Sequence, residues 1–200
     1  NTMPVKIKIC GITHYDDAKV AASLGVDALG FIFYEKSPRY IRPEDAGGII
    51  RKLPPFISKV GVFVDAHPVT IMDTAQKSGI DTVQLHGNEP PDTAQRLPFS
   101  VIKAFSVRPG WDMSVMKAYD VAGYLLDTWA EGRKGGTGTT FDWSIAREAV
   151  SRYKHIILAG GLGPVNVTEA LDAVHPYAVD LNSGVEVKPG IKNPLKMREA

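Results

Sequence analysis

Eight short apolar runs, each closing on a polar or glycine-containing turn, recur along the sequence with helical patterns between them. The runs are Val5 to Cys10, Asp27 to Phe33, Ile57 to Val64, Thr82 to His86, Val101 to Phe105, Gly123 to Asp127, His155 to Ala159 and Ala178 to Asn182. Strand and helix in strict alternation point to a parallel sheet, because parallel neighbours require a crossover and helices supply it. Between Cys10 and Asn182 the run ends recur about every 25 residues, close to the minimum for a strand, a helix and two loops. That economy leaves no room for a second domain. The expected fold is α/β, a single-domain (β/α)8 TIM barrel over residues 1–200, with Asn1 and Thr2 set aside as additions ahead of Met3.

Helix ends support the alternation. Thr13 precedes a stretch that ends at Gly25 and carries Asp16 and Asp17 in its first turn, where carboxylates suit the helix dipole. Proline stands at the expected openings of later helices, in Pro43-Glu44-Asp45, Pro68 and Pro90-Pro91-Asp92, with Asp142 as a cap for the sixth and Pro164 opening the seventh. Two loops are long, Tyr34 to Arg42 and Thr128 to Phe141. Both follow strands at their carboxyl ends, the rim on which α/β barrels carry their chemistry.

Composition narrows the function. A net charge of +1 and a pI near 8.0 provide no field suited to nucleic acid. The single cysteine cannot form an internal disulfide, and no apolar run approaches the roughly 18 residues of a membrane span. The expectation is a cytoplasmic chain that binds neither nucleic acid nor membrane. With one cysteine and no paired histidine or carboxylate spacing, no metal site is expected.

Side chains alternate across a strand, so Lys6, Lys8 and Cys10 share one face and Val5, Ile7 and Ile9 the other. The thiol therefore stands at a strand end on the functional rim, as a base, a nucleophile or filler. Asp127 ends the sixth run, as a general acid or a loop cap. Asp180 either pairs with a buried Lys8 or contacts a ligand. Arg39, in the stiff Ser37-Pro38-Arg39-Tyr40 turn, is shaped to bind a carboxylate through two parallel hydrogen bonds, or is simply solvated. His86 lines the pocket or bonds a neighbouring backbone. Glycine-rich turns follow the last two runs, at Ala159-Gly160-Gly161-Leu162-Gly163 and Asn182-Ser183-Gly184-Val185, where a barrel commonly binds phosphate through backbone N–H groups. A phosphorylated small molecule is the expected ligand. A dinucleotide fingerprint fits poorly, since Asn166 occupies the place of its third glycine.

Taken in order, Lys8-Ile9-Cys10-Gly11-Ile12-Thr13, Gly30-Phe31-Ile32-Phe33 with Ser37-Pro38-Arg39, Val60-Gly61-Val62-Phe63, Val83-Gln84-Leu85-His86-Gly87, Gly135-Gly136-Thr137-Gly138 with Phe141-Asp142-Trp143, Leu158-Ala159-Gly160-Gly161-Leu162 and Asp180-Leu181-Asn182-Ser183-Gly184-Val185-Glu186 resemble the phosphoribosylanthranilate isomerase family of tryptophan biosynthesis. The resemblance implies a cofactor-independent Amadori rearrangement of N-(5-phosphoribosyl)anthranilate to 1-(2-carboxyphenylamino)-1-deoxyribulose 5-phosphate. It matches Asp127 to the general acid and Cys10 to the general base, with Lys8 as an electrostatic helper. It also matches Arg39 to the anthranilate carboxylate, Asp180 to a substrate contact, and Gly160, Gly161, Ser183 and Gly184 to the phosphate; His86, from its place at the end of the fourth run, is expected to join the substrate-binding residues. Two positions depart from the family pattern: Thr139 where lysine is usual and Asn193 where aspartate is common. The short last helix, Pro194 to Ala200, allows a monomer or a homodimer. The competing readings are a broader sugar-phosphate isomerase and a non-catalytic phosphate-ligand barrel.

Overall fold

Eight parallel strands close on themselves in a computed structural model that describes residues 4–108, 110–128 and 143–200. They are β1 (Lys6–Ile9), β2 (Ala28–Ile32), β3 (Ser58–Phe63), β4 (Thr82–Leu85), β5 (Ser100–Ser106), β6 (Gly123–Asp127), β7 (Ile156–Ala159) and β8 (Ala178–Leu181). Each pairs with its sequence neighbour, and β1 pairs with β8 to seal the barrel. The helices are α1 (Tyr15–Ser23), α2 (Pro43–Ile50), α3 (Pro68–Ser78), α4 (Pro91–Gln95), α5 (Ser144–Arg152), α6 (Val167–Val174) and α7 (Pro194–Glu199). The main core lies between strands and helices, where outward residues such as Ile9, Leu29, Phe31, Val83, Leu126 and Leu158 meet the helical faces. A smaller apolar cluster, Ala104, Leu125, Ile157, Ala159 and Ala178, fills part of the barrel interior. The (β/α)8 expectation therefore holds, with strand ends within a residue or so of the sequence reading.

Four local features differ from that reading. The first helix starts at Tyr15, because the Thr13 hydroxyl donates to the Gly190 carbonyl instead of capping the helix. The fifth crossover is a 3-10 helix, Met113–Ala118, capped by Asp112, whose Oδ1 accepts from Ser114 N–H at 2.9 Å. Pro164 does not open α6: the helix begins three residues later, after Asn166 has engaged the preceding loop. Past β8, a 3-10 turn (Ser183–Val185) leads into an unforeseen hairpin of β9 (Glu186–Lys188) and β10 (Ile191–Lys192), turning at Pro189-Gly190 with Gly190 at φ 82°. Asp142 and most of the long loop from Thr128 to Phe141, Thr139 included, lie outside the described residues. No described helix is long and apolar enough to cross a membrane.

The rim loops after β3 and β4 are fastened by a buried ion pair outside the barrel lumen. Lys103 Nζ meets Glu89 Oε2 at 2.8 Å, both side chains being 2% exposed, and also donates to the Gly87 carbonyl at 2.7 Å. Glu89 accepts in turn from the N–H groups of Asp65 and Gly87. Buried charges are tolerated only when paired and fully hydrogen-bonded, and this pair meets both conditions while fixing the turn that follows His86. Lys103→Met removes the cation and leaves a buried carboxylate. A loss of about 3 kcal/mol in unfolding free energy is expected from urea titration, near the usual value for breaking one side of such a pair.

Candidate active site

Inward-facing residues at the carboxyl ends of the strands line a cavity of about 460 Å³, among them Cys10, Ile32, Val62, Gln84, His86, Asp127, Ala159, Asp180 and Asn182. Tyr34, Arg39, Gly160, Gly161 and Ser183 join them from the rim loops. The alternation deduced for the first strand is what places Cys10 here: Lys8 lies one inward step below, and Ile9 faces the helices. Space for the thiol comes from β2, where a Cβ on Gly30 would stand 2.7 Å from Cys10 Sγ. Gly11, at φ 77°, then turns the chain, and a Cβ there would lie 2.7 Å from Asn182 Oδ1 and 2.8 Å from Arg39 Cδ. The glycine after the cysteine thus serves both the left-handed turn and the close approach of Arg39.

Lys8 and Asp180 are register partners across the β1/β8 seam, and Nζ meets Oδ1 at 2.9 Å in a buried pair. Of the two alternatives for Asp180, the pairing with Lys8 is the one observed, and the residue also lines the cavity. Burial works against the Lys8 ammonium, yet Asp180 and Cys10 hold its pKa above the ordinary value. Burial pushes the Cys10 thiol up, and the nearby Asp180 adds to that, while Lys8 and Lys192 pull it down without prevailing. The net balance at Cys10 favours the thiol over the thiolate.

Asp127 ends β6 and is half-buried. His86 stands beside it, Nε2 to Oδ2 at 3.8 Å, and Gln84 Nε2 donates to the other ring nitrogen, Nδ1, at 2.8 Å. The Gln84 amide and the Asp127 carboxylate thus address opposite nitrogens of the His86 ring. Sequence reasoning passed over Gln84, although its period-two relation to His86 on one strand was a usable signal. Its Oε1 is buried with no partner among the described residues.

Arg39 is held by its turn and by the C-terminal hairpin. Its backbone N–H donates to Ser37 Oγ at 3.1 Å, and its guanidinium binds Glu186 through Nε, at 3.0 and 3.1 Å, and Nη2, at 2.7 Å. Burial raises the Glu186 carboxyl, but Arg39, Lys192 and the Gly190 N–H outweigh it and hold the pKa below the carboxylate range. At Lys192 the balance goes the other way, because one carboxylate cannot offset burial with Arg39 nearby, and its pKa is lowered.

The glycine turns divide into two roles. Gly160 and Gly161 adopt positive φ, 110° and 66°, and line the cavity with Ser183. Gly184 lies behind them, its Cα side against the Leu162 carbonyl and Gly163, so it brings the two loops into backbone contact. Asn166 clasps the first turn, accepting from Gly163 N–H at 2.9 Å and donating to the Gly161 carbonyl at 3.1 Å. The residue that spoils a dinucleotide fingerprint is thereby a brace for the glycine turn. Asn193 caps α7 by accepting from Leu195 and Lys196 N–H, a task aspartate does equally well, so that departure is conservative. Among the described residues no cluster of His, Cys, Asp or Glu could hold a metal ion.

The family described as N-(5'-phosphoribosyl)anthranilate (PRA) isomerase matches residues 7–200. The chain belongs to the phosphoribosylanthranilate isomerase family. An N-(5'-phosphoribosyl)anthranilate isomerase of Geotalea uraniireducens is 53% identical over 97% of this chain and 95% of that protein. The isomerase structure from Thermotoga maritima superposes with a TM-score of 0.88 at 42% identity, over 98% of this chain and 96% of the other. A phosphoribosyl anthranilate isomerase in complex with reduced 1-(o-carboxyphenylamino)-1-deoxyribulose 5-phosphate gives 0.84 at 40% identity, with the same coverage. The protein is accordingly an isomerase of the tryptophan-biosynthesis family.

The depressed Glu186 carboxyl has a pH consequence. A carboxyl whose pKa is lower folded than unfolded contributes stability above the unfolded value, and loses it as pH falls through the folded value. In Glu186→Gln, a plot of Tm against pH is therefore expected to fall less steeply than wild type below about pH 5.

Proposed function

We propose that the chain rearranges N-(5-phosphoribosyl)anthranilate to 1-(2-carboxyphenylamino)-1-deoxyribulose 5-phosphate, with Asp127 as general acid and Cys10 as general base. The observation that carries this reading is one cavity lined at once by a carboxyl, a thiol, a guanidinium and two positive-φ glycines. Each group answers a separate demand of the substrate. Arg39 takes the aryl carboxylate, because its planar donors match a planar acceptor. The N–H groups of the Gly160, Gly161, Ser183 and Gly184 turns receive the phosphate, and Asp180 and His86 contact the sugar.

Asp127 donates a proton to the furanose ring oxygen as the bond from that oxygen to C1 breaks, and the aryl nitrogen lone pair forms the C1–N iminium. The iminium withdraws electrons from C2. Cys10, as thiolate, then removes the C2 proton, and the pair left behind becomes the C1–C2 double bond of an enolamine. Loss of the C2 hydroxyl proton and delivery of a proton to C1 give the ketone. No electrons leave or enter, so the sequence balances without a redox partner. His86 flanks that carboxyl at the cavity wall, 3.8 Å away.

Burial of Cys10 leaves less thiolate at neutral pH than the few per cent, roughly 3%, of an ordinary thiol with pKa near 8.5. Lys8 offsets part of this from one step below. A site with a single thiol base distinguishes this reading from a broader sugar-phosphate isomerase that works with paired aspartates. Turnover of phosphoribosylanthranilate is the decisive measurement. Cys10→Ala and Asp127→Asn are each expected to lower kcat by about 10²–10⁴-fold with an unchanged circular dichroism spectrum. In wild type, kcat/KM should rise with pH on the alkaline side as the thiol ionises, and Lys8→Met should move that rise to higher pH. Near-normal turnover by Cys10→Ala would show that another group is the base, and wild type that binds the substrate without turning it over would leave only the binding-barrel alternative.

A further inference from the structure

Two cations, Arg39 and Lys192, share the carboxylate of Glu186 at the rim. Arg39 engages Glu186 through Nε and Nη2, an arrangement that on its own would neutralise the guanidinium. A carboxylate arriving at such a pair would meet no net charge. The second cation changes the balance. Lys192 Nζ donates to Glu186 Oε2 at 3.2 Å, to Asn182 Oδ1 at 3.0 Å and to the Asn182 carbonyl at 3.3 Å. Three acceptors around one nitrogen suit an ammonium, since a neutral amine has only two protons to donate.

Position determines which cation meets the ligand. The Lys192 side chain is 0% exposed and does not line the cavity, whereas Arg39 is 19% exposed and does. The Nη1 edge of Arg39 lies outside its bonds to Glu186. Of the two cations, Arg39 is therefore the one whose donors a ligand in the cavity can meet. The Lys192 backbone is itself tied down, its N–H donating to Asp17 at 2.9 Å, and Gly190 N–H holds Glu186 Oε2 at 2.9 Å. Such rigidity keeps the three charges in one arrangement before ligand arrives.

We propose that Lys192 is a positioning residue that acts through Glu186, sharing that carboxylate so that Arg39 keeps an unneutralised charge for the substrate's aryl carboxylate. The inference rests on the reading of Arg39 given above. It assigns a role to a side chain that touches neither substrate nor reacting atoms, and it makes the hairpin of β9 and β10 part of the specificity apparatus.

Two probes separate the possibilities: reduced 1-(o-carboxyphenylamino)-1-deoxyribulose 5-phosphate, and the same compound with phenyl in place of carboxyphenyl. The ratio of their Kd values, measured calorimetrically at fixed ionic strength, reports recognition of the carboxylate alone. Lys192→Met should reduce that ratio about tenfold while binding of the phenyl compound changes less than about twofold. In steady state KM should rise; because Lys192 also lowers the Cys10 pKa, kcat is compared at alkaline pH, where the thiol is ionised in both proteins and kcat should be nearly unchanged. The double variant Lys192→Met/Glu186→Gln removes one charge of each sign, leaves Arg39 cationic beside an amide acceptor, and should restore the ratio. If Lys192→Met does not fold, Lys192→Gln, which keeps donors toward Asn182 and Glu186, carries the same expectation. Equal weakening of both probes, an unchanged ratio, or failure of the double variant to restore it would overturn the role of Lys192. An unchanged ratio in Arg39→Ala would instead remove the reading of Arg39 itself, so the two failures are distinct.

Discussion

The buried pair of Lys8 and Asp180 sits where the barrel is sealed, and much of the site depends on it. An ammonium and a carboxylate facing each other across the β1/β8 seam satisfy two charges that an apolar lumen could not hold singly. The register that aligns them also sets Cys10 one inward step above, with its backbone N–H donating to the Leu181 carbonyl at 2.8 Å. Closing the sheet, compensating the charges and aiming the thiol are thus one geometric event. The same pair bears on the acidity of the thiol, Lys8 lowering it and Asp180 raising it.

Around that seam the rim is organised by two further sets of buried charges. Lys103 and Glu89 secure the loops after β3 and β4 from outside the lumen. Glu186 and Lys192 secure Arg39 from the hairpin after β8. Rim loops are the part of a barrel free to vary, and loops carrying functional groups need support the barrel core does not reach. Here the support is ionic and hydrogen-bonded because the loop backbones present N–H and carbonyl groups that apolar packing would leave unsatisfied.

Much of this was legible in the residues. Period-two alternation put Lys8 and Cys10 on one face and Ile7 and Ile9 on the other, and the structure keeps that division. The pairing of Lys8 with Asp180 was one of two readings open for the aspartate, and the interior position of both follows from the same alternation. Gly160 and Gly161 fell where turns were expected. Gly184 could not be separated from them, because a glycine that faces a cavity and one that faces a neighbouring carbonyl look alike in sequence. Thr13 resembled a helix cap, but its hydroxyl goes to Gly190, a partner 177 positions away.

What the sequence by itself determined is what short-range geometry can carry: strand and helix alternation, the number of barrel strands, the face each strand residue takes and the strand end at which the thiol stands. These depend on backbone periodicity, which repeats over a few residues. The tertiary structure alone decided that Arg39 meets Glu186, 147 positions distant, that Lys192 lies behind both, and that Gln84 orients His86 toward Asp127. Contacts of the first kind require the closure of all eight strands, a collective register that no local pattern encodes, and the last requires β4 and β6 to face one cavity.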